Sequence, residues 1–160
     1  MRYAMYGLLL GGFVGLVVTS ALGLGWIPTD HLLALHWQAA IWTVLLVLSA
    51  HTTILFYFLA TGKQLRVLMQ ESGRPVNAEY LADMKLYKAK VFPPLMGALF
   101  ATMAAFVVGG GVVVGSVPGE VHLGLGILAL VANFVAGIRE VSYIQRNSRL
   151  MCAIEREYLG

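Results

Sequence analysis

Apolar residues run almost unbroken through four stretches of this chain, roughly 5–26, 35–61, 92–115 and 122–141, and the polar residues gather between them. Each stretch reaches the roughly 20 residues that an α-helix needs to cross a bilayer's hydrocarbon core. Two of the connections are short. Trp26 to Leu35 contains Pro28, Thr29, Asp30 and His31, and Ser116 to Val121 contains Pro118, Gly119 and Glu120. The third, Gly62 to Lys90, is long but keeps a helical period: Leu65, Leu68 and Met69 recur on one face, Gly73-Arg74-Pro75 makes a turn, and Asn77 is placed to cap a helix over Ala78 to Lys90. Leu81, Met84 and Tyr87 then share an apolar face. The pattern predicts a helical hairpin over 62–90, a fourth helix continuing to about Tyr158, and a kink or restart at Pro93-Pro94. No strand alternation occurs.

The fold class that follows is all-α: one integral membrane domain over 1–160, an antiparallel four-helix bundle with helical extensions on one side. Composition supports lipid as the solvent, since 59% of residues are apolar and 12% charged, with a mean hydropathy of +0.78. Charge orients the bundle. All 11 Lys and Arg residues fall at the chain ends or in the long connection, and neither short turn carries one. The positive-inside rule therefore predicts a multi-pass protein of the inner (cytoplasmic) membrane, with both termini and the 62–90 hairpin cytoplasmic. Arg2 before an apolar core, with Ser20-Ala21 behind it, also fits a signal peptide. The uninterrupted apolar length favours a retained anchor.

Composition and motifs exclude several function classes. The single Cys152 rules out an internal disulfide and cysteine-ligated zinc or iron–sulfur centres within the chain. There is no P-loop, GxSxG, HExxH or nucleic-acid signature, so the expected partners are the lipid bilayer and other membrane subunits or a second copy, with no nucleic acid. Small residues recur at helical spacing: Gly7, Gly11 and Gly15 in the first span, Gly111 and Gly115 in the third, and Ala129, Ala132 and Ala136 in the fourth. Such stripes predict close helix packing, and Gly109-Gly110-Gly111 is a candidate surface beside a planar macrocycle.

The chemistry rests on histidines. His36 and His51 lie in one apolar span, about four turns and about 22 Å apart on similar azimuths. His122 opens the fourth span, where Asn133 and Glu140 continue its face as one polar stripe. Ionisable groups in an apolar span are costly and usually face a partner or cofactor. His36 and His122 begin their spans at the same level and are placed to meet. His51 has no histidine at its level, and Met103 on the third span matches its depth.

Two histidines about four turns apart, in a four-helix membrane chain, resemble the small di-haem b-type membrane cytochromes. That resemblance implies a b-type haem (haem b, iron) between His36 and His122, a second centre or relay at His51 with Met103, and electron transfer alone or as a subunit of a respiratory oxidoreductase. Here the fourth helix offers one histidine where the family typically offers two. Tyr57, Thr61, Arg139 and Glu140 mark a conceivable quinone site or an aromatic belt with snorkelling charges. Alternative readings are an accessory subunit without cofactor, a surface metal site from Asp30, His31, His36, Glu120 and His122, a porphyrin on one histidine, and a transporter with a polar path along the fourth helix.

Overall fold

The computed structural model describes residues 2–159, which form four α-helices: α1 (Arg2–Gly23), α2 (Leu32–Glu71), α3 (Ala78–Val113) and α4 (Gly119–Leu159). All four are long and apolar enough to cross a membrane. With 40, 36 and 41 residues, α2, α3 and α4 outrun the roughly 30 Å that a hydrocarbon core requires. Their extra turns are the helical extensions expected between 62 and 90 and beyond 141.

The packing faces follow the 3–4 spacing of the sequence. On α4 the buried positions are Ala129, Asn133, Ala136, Glu140, Ile144, Asn147, Leu150, Ile154 and Tyr158, a seam running the length of the helix. α1 lies along α2 and α3 along α4. A Cβ on Gly12 would stand 3.2 Å from Val47 Cγ2, and one on Gly15 would stand 2.7 Å from Thr43 Oγ1. The close approach of α1 to α2 thus uses Gly12 and Gly15, whereas Gly7 and Gly11 of the expected stripe face open space.

Met5, Ile54, Phe58, Val91, Leu95 and Ile144 form one apolar cluster where all four helices meet. Leu65, Met69, Met84, Leu150, Ile154 and Tyr158 form a second, among the extensions. The outer surface is apolar too, with Trp42, Phe56, Phe100, Val107 and Ile138 exposed, while His51, Glu140, Asn133, Asn147 and Thr102 are buried. This distribution is compatible with lipid around the bundle.

Two local expectations meet different outcomes. Asn77 caps α3 as expected, its side chain accepting from the Glu79 amide at 2.9 Å. α3 runs through Pro93 and Pro94 without interruption. Tandem proline removes two amide donors and crowds the preceding turn, but Val91 and Leu95 on either side are fully buried and hold the helix in register.

The two helix pairs repeat one another. A single constant offset in numbering carries the buried Met5 onto Val91, Gly12 onto Ala98 and Leu16 onto Thr102. It also carries Thr43 onto Ala129, Val47 onto Asn133, Ala50 onto Ala136, Ile54 onto Glu140, Phe58 onto Ile144 and Thr61 onto Asn147. The pairs share a pattern of burial rather than a sequence.

Candidate functional site

The same offset relates His36 to His122. His36 sits in the second turn of α2, and its Nδ1 lies 3.0 Å from the carbonyl oxygen of Thr19 on α1. His122 sits in the first turns of α4, with Nδ1 3.0 Å from the carbonyl oxygen of Ala105 on α3. A carbonyl only accepts, so each Nδ1 carries a proton and donates, and Nε2 is the ring nitrogen left without a hydrogen-bond partner among the described residues. This is the arrangement by which metal-binding histidines fix tautomer and orientation.

Each ring also rests on a glycine of the preceding helix. A Cβ on Gly23 would come within 2.9 Å of His36 Cε1, and one on Gly109 within 2.9 Å of His122 Cε1. No side chain larger than hydrogen fits either place without moving an imidazole. The ring centres of His36 and His122 are 6.2 Å apart with planes at 82°. A metal held at about 2.0 Å from a nitrogen of each ring separates the ring centres by roughly 6 Å, allowing about 1 Å from nitrogen to ring centre.

Around the pair lies a cavity of about 610 Å³, lined by all four helices with Leu16, Ala40, Val44, Phe106, Ile127 and Leu130 among its apolar walls. That volume and lining suit a cofactor of several hundred Å³. Two imidazoles fall short of the closed ligand set of a structural metal ion. Among the described residues, no group of three or more His, Cys, Asp or Glu stands together as a metal site, so Asp30, His31, Glu120 and the two histidines do not converge. The donor set present fits a metal that brings its own equatorial ligands, such as a porphyrin iron with two axial imidazoles.

His51 is held differently. Its Nδ1 lies 2.7 Å from Glu140 Oε1 and its Nε2 lies 2.9 Å from Asn133 Oδ1. Asn133 Nδ2 donates to Thr102 Oγ1 and to the Ala129 carbonyl, both at 2.8 Å, which fixes Oδ1 toward His51. Thr102 Oγ1 donates onward to the Ala98 carbonyl at 2.8 Å. An amide oxygen cannot donate, so His51 Nε2 carries a proton. Nδ1 and Glu140 then share one further proton, as imidazolium with carboxylate or imidazole with carboxylic acid, and the pair is neutral in sum either way. Neutrality is what its burial demands, since His51 is 2% exposed and Glu140 is fully buried.

The structure therefore brings His36 and His122 together as expected. It does not give His51 to a second centre in the same manner, because both ring nitrogens are engaged, and Met103 lies on the exposed side of α3. Glu140, placed by the sequence on the polar stripe with His122 and Asn133, pairs with His51. Reading the sequence missed Gly23, Thr19 and Ala105. The signal was present as a glycine 13 residues before each histidine, at Gly23 and Gly109, a spacing that pairs the rings with the helix before them.

No protein-family model, curated protein or solved structure matches this chain.

Proposed function

We propose that this chain is a membrane-embedded b-type haem protein that carries electrons within or across the bilayer, with His36 and His122 as axial ligands of one haem. The observation that carries the reading is the matched pair of imidazoles, each with Nδ1 committed to a carbonyl on the neighbouring helix, 6.2 Å apart between ring centres. A haem held this way supplies a one-electron ferric/ferrous couple. With His36 and His122 both bound to it, such a haem would serve electron transfer rather than ligand binding.

The chain's own residues supply orientation and a dry setting. Thr19 and Ala105 hold the two rings, Gly23 and Gly109 leave room beside them, and the apolar cavity walls exclude water. The four helices form an antiparallel bundle in the cytoplasmic membrane, with both termini and the α2–α3 turn on the cytoplasmic side. The haem then lies toward the outer face. The bundle works alone or as the cytochrome subunit of a larger assembly.

The test is the visible spectrum of the purified chain, expressed with ample haem, oxidised and then reduced with dithionite. A sharpened α band that disappears in both His36→Ala and His122→Ala, and survives in Met103→Leu, is the expected result. A colourless protein overturns the reading and returns the chain to a cofactor-free accessory subunit.

A further inference from the structure

All 11 Lys and Arg residues lie toward one end of the bundle. Among the described residues none of them has a carboxylate within 4 Å, and His51–Glu140 is the ion pair that forms. A cation in water needs no partner. Lys88 is a different case, because it is half-buried against α2.

Its place is made by a missing side chain. A Cβ on Gly62 would stand 2.7 Å from Lys88 Nζ and 3.1 Å from its Cε, so the amine fills the notch that the glycine leaves. Arg66 lies four residues beyond Gly62, one turn along the same face of α2, and near enough for its charge to act on Lys88. Burial and that repulsion both disfavour the charged amine. Lys88 Nζ makes no ion pair among the described residues, yet it stays within reach of a ligand. The enclosed polar atoms without a partner are instead the Tyr6 hydroxyl and Glu140 Oε2. Two adjacent cations, one of them half-buried and open, form a place that an anion completes.

Depth says which anion. Gly62 and Lys88 stand at the limits of the apolar stretches 35–61 and 92–115, where hydrocarbon gives way to lipid head groups. Leu59, 43% exposed, lies one turn nearer the membrane on α2, and the half-buried Phe92 does so on α3.

We propose that Lys88 and Arg66 bind the phosphate of an anionic phospholipid over Gly62, with its acyl chains against Leu59 and Phe92. The proposal rests on the membrane reading above and not on the haem. A guanidinium presents a fork of donors to phosphate oxygens, and an ammonium adds a compact charge. A zwitterionic lipid brings a cation of its own to a place where two already repel, so a lipid of net negative charge is preferred. A free phosphate offers the same oxygens but leaves Leu59 and Phe92 uncovered.

The experiment is native mass spectrometry of the purified full-length protein in detergent, titrated with phosphatidylglycerol, with phosphatidylcholine of the same chains, or with glycerol phosphate. One phosphatidylglycerol should bind at least about tenfold more tightly than either of the others. Lys88→Gln and Arg66→Gln should each lower its affinity about fivefold, the effect of one cation at a membrane surface. Lys90→Gln removes a charge at similar depth from a position about 200° around α3, and should leave the affinity unchanged. Lipid-free Lys88→Gln should melt no lower than the parent, because the amine has no acid to lose, so lost binding is not lost folding. Binding should persist in His36→Ala/His122→Ala, which separates failure here from failure of the haem reading. Equal binding of phosphatidylcholine, equal binding of glycerol phosphate, or as large a loss in Lys90→Gln as in Lys88→Gln overturns the proposal.

Discussion

His36 and His122 face each other across 6.2 Å, and each is held by a backbone carbonyl 17 residues earlier in the chain, at the same 3.0 Å. The two rings are equivalent members of the repeated helix pairs, related by the same offset as the buried positions around them. The symmetry makes the site's demands on its surroundings symmetric as well.

Replacing either supporting glycine should therefore have the same effect. Gly23→Ala and Gly109→Ala each place a methyl within 2.9 Å of an imidazole Cε1. On the proposed haem reading, displacing either ring by a fraction of an ångström should lower haem affinity by about tenfold or more. Gly124→Ala, where a Cβ meets nothing within 4 Å, should leave it unchanged. Haem titration of the three variants, followed at the α band, checks this.

His51 and Glu140 should behave as one unit. His51→Leu strands a buried carboxyl and should cost about 3–5 kcal/mol. Glu140→Leu strands one imidazole nitrogen and should cost about 1–3 kcal/mol. The double variant removes both polar groups and should recover most of the loss. Denaturation in detergent gives all three values, and simple addition of the single losses would show that the pair is not coupled.

Tyr158 ties the end of α4 to the α2–α3 turn. Its hydroxyl accepts from the Asn77 amide at 3.0 Å and donates to the Pro75 carbonyl at 2.9 Å. Tyr158→Phe removes both bonds and should cost about 1–2 kcal/mol. Faster amide exchange at Asn77 and Glu79 is the expected signature, with exchange in the helix cores unchanged.

Lys88 should titrate below the ordinary lysine value. Burial, and then the nearby positive charge of Arg66, push its amine below the ordinary lysine value. Only the neutral amine reacts with acylating reagents, so the labelling midpoint of Lys88 should lie at lower pH than the ordinary lysine value. Arg66→Gln removes the repulsive charge and should move that midpoint back upward. Labelling across pH 7 to 11, read by peptide mass spectrometry, follows both shifts.

Helix content was legible because it is written locally. The Asn77 cap, the Gly73-Arg74-Pro75 turn and the apolar period of each span depend on residues a few positions apart, and they reappear in the structure. At Pro93-Pro94 the helix does not restart, for the complementary reason. A restart is a local preference, and the burial of Val91 and Leu95 on either side is tertiary. The glycine stripe on α1 likewise gave one contact of three, since Gly15 meets α2 while Gly7 and Gly11 do not, and Gly12, outside the stripe, does.

By itself the sequence determined the helices and the levels of their histidines, because hydropathy and helical rise are properties of one segment at a time. Whether a histidine has a free nitrogen was decided only by tertiary structure. His36 and His122 present Nε2 because Thr19 and Ala105 take Nδ1, while His51 presents neither because Glu140 and Asn133 take both. Hydrogen-bond partners come from other helices, and a single segment carries no record of which residues its neighbours will bring.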